Sequence, residues 1–466
     1  MDYFHSVLTP PELLRMGTSA LGDIFQKLRT LSLEPPKANS EFDIDRDTGF
    51  IPSQPLERLP TAFDFWERAL SEAPDVLSLG EDTSEEAEAK REGSELWRRR
   101  IREGPVLSTA IIEGDMRKLQ RAHHVLAFLM HFYVHSAPPA SGAFVIPKSI
   151  AIPLVSVSRL LGIAPVVTYA DTVLWNVVRI NPSLPMTLDN LEFEHLFSGT
   201  DDEAEFYRAS AGVELRGVEL LNIIEGFHSL PSVTDEASIW KISRDLQRVA
   251  SLVDELNDIV QSVRAGCDPH TFYWQIRPWF RGADAEGTSS PGWIFEGVLD
   301  ADRLDLSGPS GGQSSLVHAL DVWLDIDHKL SQKRYPAPSE DNKKADHGFM
   351  QRMRRYMPGP HQDYLVYLEN ASRQLREVAR QTPALRTPYN AAVKALKKFR
   401  DCHIRVACLY VVTMSKTARY ACPVMAAMAR QEKTLESSSG PVRGTGGNEL
   451  AALLKAGRDA TRRAEL

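Results

Sequence analysis

Apolar residues recur along most of this chain at the three- and four-residue intervals of helices, and few segments alternate as strands do. LQRAHHVLAFLMHFYVH is strongly apolar and places Leu119, Val125, Leu126, Leu129 and Phe132 at helical spacings. EFYRASAGVELRGVELLNIIEGF reads as one helix, and WKISRDLQRVASLVDELNDIVQSVRAG as another ending at Gly266. IPKSIAIPLVSVSRLLGI is expected to begin as a proline-punctuated extended piece and then turn helical. Thr187 is an N-cap candidate before a short helix. TPYNAAVKALKKFRDCHIRVACLYVV carries Thr387 as N-cap and Pro388 in the first turn. The fold class predicted is all-α. No repeat of solenoid length occurs. Polar stretches at 79–95, 282–292, 336–345 and 430–448 read as loose, the first equally as a solvated helix. The best boundary is FSGTDD, residues 197–202. It divides the chain into a smaller helical domain, 1–198, and a larger one, 199–466.

Composition narrows the function without naming it. The 466 residues are 43% hydrophobic and 25% charged, enough for a full core without disulfides or structural metals. Lys plus Arg number 54 against 62 Asp plus Glu, a net charge of −8 that argues against nucleic acid or an anionic membrane as partner. Cys267, Cys402, Cys408 and Cys422 form no C-x-x-C pair and read as reduced thiols. The longest apolar region, 149–175, is broken by Pro153, Arg159, Pro165 and Asp171, and the first residues lack a secretory pattern. The expectation is a cytoplasmic protein.

Four features carry candidate chemistry. His403 lies on the apolar stripe of Leu396, Phe399, Val406 and Tyr410, as a satisfied core residue or as a metal or haem ligand. His124, His131 and His135 share one helix face beside His123, but without carboxylate or cysteine partners at ligand spacing the structural reading is favoured. GPSGG, residues 308–312, matches the form of a nucleophile elbow around Ser310. The strands to build its sheet are missing from the pattern, so a glycine-rich connection between helices is the simpler account. FYWQIRPWFRG sets Arg277 among aromatics, either to pair with a ligand carboxylate or to lie exposed over the core.

Taken in order, AIPLVSVSRLLGIAPVVTYADTVLWN, FYRASAGVEL, FYWQIRPWFRG, GPSGGQSSLVHALDV, MRRYMPGPH, VKALKKFRDCHIRVACLYVV and RGTGGNEL resemble the indoleamine 2,3-dioxygenase family, from about Gly49 to Leu454. The resemblance implies two helical domains with haem b in the larger, O2 as co-substrate, and oxidative cleavage of the indole C2–C3 bond of L-tryptophan or a related indoleamine. It implies His403 as proximal iron ligand, with Arg400 near a haem propionate and paired with Asp321. Ser310 and Gly312 would pass along the haem edge. Arg277 would bind the substrate carboxylate, Tyr169, Phe206, Phe272 and Gly311 would line the indole pocket, and Thr445 would close over the ammonium group. Ser210 would face the distal side. An electron donor to keep the iron ferrous and a monomeric state complete the expectation. Tyr273, Arg281 and Pro309 depart from the family pattern, the first two where they bear on pocket size and charge. A non-catalytic haem-binding sensor and a serine hydrolase using Ser310 stand as alternatives.

Overall fold

The computed structural model describes residues 39–139, 142–285, 292–299, 304–331, 348–419, 442–445 and 449–466. Asn39–Glu41 belong to a separate N-terminal unit, and Phe42–Leu466 form the other. Helices dominate, and the strands among the described residues are three residues each. The longer α-helices among the described residues are α1 (Asp64–Val76), α2 (Glu85–Glu103), α3 (Met116–His135), α4 (Lys148–Leu161), α5 (Asp201–His228), α6 (Glu236–Gly266), α7 (Ser315–Trp323), α8 (Gly359–Glu369), α9 (Leu375–Gln381), α10 (Pro383–Ala407) and α11 (Leu450–Arg463). Strands β1 (Phe144–Ile146) and β4 (Trp293–Phe295) pair in parallel, with Phe144 opposite Trp293. β2 (Val177–Arg179) and β3 (Leu191–Phe193) pair antiparallel. These two-stranded ladders pin connections, and among the described residues no larger sheet gives the elbow reading of Ser310 a scaffold.

Helix starts follow from local chemistry. Ser84, Asp115, Thr200 and Asp235 each accept a hydrogen bond from a first-turn N–H of α2, α3, α5 and α6. The polar stretch 79–95 therefore runs into a capped helix. α6 ends at Gly266, as its pattern predicts. Two starts differ from expectation. α10 begins at Pro383, not Pro388, because Thr382 and Pro383 repeat the Thr-Pro signal five residues earlier and Leu385 extends the buried stripe. The N–H that Pro388 lacks would have bonded the carbonyl of exposed Ala384, which water can serve. In α4 the helix already starts at Lys148 and Pro153 lies inside it, where burial of Ile150, Leu154 and Val157 outweighs the lost bond. Thr187 precedes a single 3-10 turn, Leu188–Asn190.

α3 is buried on all sides from Leu119 to Tyr133 and forms the centre of its region, with α4 packed along it. α5 and α6, joined by a short connection, pack together, and α10 lies along α6 with α11 on its other side. The packing across 197–202 is dense: Phe197 stacks on Phe128 at 4.4 Å and on Trp279 at 5.8 Å. Among the described residues, π-helical turns occur at Ala170–Leu174, Phe272–Ile276 and Cys408–Thr413. Such turns re-aim side chains and concentrate at functional sites. Among the described residues no helix is long and apolar enough to cross a membrane. Residues 336–345, most of 430–448, and Cys422 lie outside the described residues.

Candidate active site

His403 departs from the buried position that its stripe predicts. Leu396 and Tyr410 are buried and Phe399 and Val406 half-buried, yet the imidazole carries open surface. It nonetheless lies deep in the protein, where burial, and then the nearby charge of Arg400, lower its pKa. An exposed imidazole on a stripe whose other members are buried or half-buried means that packed protein does not cover the stripe at His403. Among the described residues neither ring nitrogen has a hydrogen-bond partner, which removes the satisfied-core reading. A neutral, unpartnered imidazole is a donor suited to a soft metal.

A charged network lies one turn before that imidazole on α10. Arg400, one turn before His403, donates through Nη2 to both oxygens of Asp321 at 2.6 Å, and through Nη1 to the Thr461 hydroxyl of α11. His328 donates to the same carboxylate at 2.7 Å. Burial alone would raise the Asp321 pKa, but the charges of Arg400 and His328 outweigh it and hold the carboxyl well below its usual range. Gly311 is exposed, and a Cβ built there would meet nothing within 4 Å. A separate cavity of about 550 Å³, lined by His318, His328, Met350 and Arg354 among others, adjoins this region through Asp321. Neither His403 nor Arg277 lines it, and it is not the site described here.

A second group of predicted residues is joined by direct contacts. Arg277 sits at the end of the Phe272–Ile276 turn and is 9% exposed. Its Nη2 donates to the Arg443 carbonyl at 2.7 Å, and its guanidinium lies over the Tyr273 ring at 5.4 Å. No carboxylate among the described residues pairs with it. Burial, then the charge of Arg281, push its pKa down to about 10. A buried cation with no counter-charge is a site for an anionic ligand.

Phe272 meets Phe206 of α5 at 4.7 Å and Tyr410 at 5.6 Å, so the aromatic wall reaches the turn that follows the His403 helix. Ser210, one turn after Phe206, is half-buried and donates to the Phe206 carbonyl. Thr445 donates to the Pro309 carbonyl at 2.7 Å and accepts from the Gly308 N–H, which lays residues 442–445 across the 308–312 connection. Gly308 is needed there: a Cβ would lie 1.8 Å from the Phe280 carbonyl oxygen. Ser310 accepts from the Gly312 N–H, while His318 bonds the Gly312 carbonyl, so no base reaches the hydroxyl among the described residues. Arg281 turns towards Glu81, 3.7 Å away.

The histidines of α3 are structural. His123 bonds Asp171, His124 bonds the Asp171 carbonyl and His195, and His135 bonds the Arg281 carbonyl. His131 donates to the Trp279 carbonyl at 2.7 Å and accepts from the Val167 N–H, so it ties the two segments that carry Arg277 and Tyr169. No group of three or more potential ligands is assembled among the described residues.

Glu214 was not anticipated from the sequence. Its Oε1 accepts from the Tyr169 hydroxyl at 3.0 Å and the Ser314 hydroxyl at 2.7 Å, while Oε2 is buried without a partner. Burial pushes this carboxyl up to about 7. An unfolded glutamate releases its proton near 4.5, so the folded state binds more proton between these values. Stability should therefore fall as pH rises through that window, by roughly 3 kcal/mol in all. Denaturant midpoints from about pH 4.5 to about pH 7.5 should show Glu214→Gln flattening this slope. An unaltered slope would mean that the carboxyl ionises normally.

Comparison with known proteins identifies the family. The family model described as indoleamine 2,3-dioxygenase matches residues 38–464. Indoleamine 2,3-dioxygenase 1 of Mus musculus is 29% identical over 426 residues, covering 91% of this chain and 94% of that protein. Indoleamine 2,3-dioxygenase of Saccharomyces cerevisiae is 28% identical over 75% of this chain and 79% of its own. A 6-hydroxytryptophan 2,3-dioxygenase of Fusarium equiseti is 28% identical over 89% and 94%. With a match across nearly its whole length, this chain belongs to the indoleamine 2,3-dioxygenase family of haem-dependent dioxygenases.

Proposed function

We propose that this enzyme cleaves the indole C2–C3 bond of L-tryptophan with O2 to give N-formylkynurenine, the opening step of tryptophan breakdown to kynurenines. The observation that carries the reading is the deep, open and unpartnered imidazole of His403. His403 would ligate haem b, with Arg400, steadied by Asp321, beside a propionate. Bound through one histidine, haem iron supplies an open position for O2 and its activation.

The remaining work falls to the chain's own side chains. Arg277 takes the substrate carboxylate and gains the counter-charge that no described residue provides. Phe272, Phe206 and Tyr169 wall the indole, and their contacts fix the plane in which it lies. Ser210 and Gly311 leave room where bulk would block the ring. Thr445, held on Pro309, covers the substrate's ammonium end and limits water. No side chain in this set is required to take a proton from carbon; orientation and exclusion of water are the protein's share. A one-electron donor that keeps the iron ferrous and a monomeric state belong to the same reading.

The reduced protein should show a Soret band that shifts with CO, and should form N-formylkynurenine from tryptophan under reducing conditions. Colourless protein that cannot be reconstituted would reject the haem reading. Stable haem without turnover on tryptophan or 6-hydroxytryptophan would mark a haem-binding sensor instead.

A further inference from the structure

We propose that Glu214 is a positioning residue of the substrate pocket: its carboxyl locks the Tyr169 ring, on one wall, to Ser314, on the connection that leads into α7. The inference rests on the reading of Tyr169 as a pocket wall. Three separate elements meet at this one oxygen. Tyr169 opens the Ala170–Leu174 turn, Glu214 lies on α5 one turn after Ser210, and Ser314 is the N-cap of α7. The hold on Tyr169 is double-ended. Its N–H donates to Gln313 Oε1 at 2.8 Å, and the Gln313 amide in turn donates to the Gly308 carbonyl at 2.9 Å. Its hydroxyl, at the far end of the ring, reaches Glu214. Ser314 also accepts from the Val317 N–H, so the same contact fixes where α7 begins.

Fold stability alone does not account for a carboxyl here. Glu203, equally buried, accepts from two backbone N–H groups and from the Ser198 and Tyr207 hydroxyls. Glu67 pairs with Arg121. Glu214 has neither arrangement, and one of its oxygens is buried with nothing to bond. The titratable groups named on the neighbouring elements are committed elsewhere: Asp171 to His123 and Thr168, His318 to the Gly312 carbonyl, and Asp321 to Arg400 and His328. Buried polar groups that weaken a fold are retained where a site needs them. What Glu214 provides is the placement of two hydroxyls around the pocket.

The test uses haem-loaded protein with matched haem content and helicity, and reads both steady-state kinetics and calorimetric binding of tryptophan. Glu214→Leu should raise the Michaelis constant and the dissociation constant for tryptophan on the order of tenfold, with a smaller change in kcat. Tyr169→Phe should do much the same, and the double variant should be little worse than either alone. Glu214→Gln, which still accepts both hydroxyl hydrogen bonds, should restore binding to near the wild-type value. Additive effects in the double variant, or unchanged binding in Glu214→Leu, would overturn the proposal. If Glu214→Leu does not fold, unchanged binding in Tyr169→Phe overturns it equally. Wild-type protein that binds no indole amino acid removes the pocket reading itself, whereas active wild type with additive variants removes only the role of Glu214.

Discussion

Replacement of His403 by alanine should give a protein that folds, keeps its helix content and fails to hold haem. The physical reasons for both halves lie in the same side chain. Alanine is a better helix former than histidine, so α10 loses nothing in propensity. The imidazole makes no hydrogen bond to a described residue and has open surface, so its removal leaves no orphaned partner and no new void in packed core. The expected cost to stability is under about 1 kcal/mol, the range of an ordinary surface change. Haem, by contrast, would lose the protein ligand proposed for it. Soret absorbance per chain should drop to near baseline while the far-ultraviolet spectrum stays helical, and added imidazole should recover part of the band. Full haem occupancy in His403→Ala would show that another residue ligates the iron. A collapse of helicity would show that His403 is a core residue after all.

That pairing of outcomes also marks what a sequence can and cannot convey. A helical stripe such as Leu396, Phe399, His403, Val406 and Tyr410 has the same spacing whether protein or a cofactor covers it. Periodicity therefore located α10 and its inward face but left the histidine's partner undetermined. Local signals were legible where the deciding physics is local: α6 ends at its glycine, and the acidic stretch resolves into a capped helix. They failed where one signal occurs twice, as with the two Thr-Pro pairs in the first turns of α10, because tertiary burial of Leu385 chose between them. Glu214 shows the opposite limit. An acid four residues after Ser210 on a mixed helix face reads as an ordinary solvated position. Its meaning comes from Tyr169 and Ser314, which lie 45 and 100 residues away in sequence. Arg277 was legible as a candidate through its aromatic neighbours, but that no described carboxylate pairs with it emerges only when the carboxylates around it are placed.

Arg277→Ala should weaken tryptophan binding by roughly 2–5 kcal/mol, the range for a buried charge pair that loses one partner. In kinetic terms the loss should fall on kcat/KM by two orders of magnitude or more, since substrate held by one end no longer presents its ring correctly. Arg277→Lys should recover only part of this, because an ammonium cannot make the paired contacts of a guanidinium to a carboxylate. Arg277→Ala should leave the unliganded fold as stable as before or more so. Burial already pushes the Arg277 pKa down to about 10, and its protein contacts are a carbonyl and an aromatic face. Removing an uncompensated buried charge relieves the fold of its desolvation. A structural ion-pair member would behave in the opposite way, with its loss lowering the melting temperature and leaving the Michaelis constant alone. Thermal midpoints without substrate, set beside tryptophan binding, therefore separate the two roles. Weakened binding with an undiminished midpoint identifies Arg277 as a residue kept for its ligand; a lowered midpoint with unchanged binding removes it from the site.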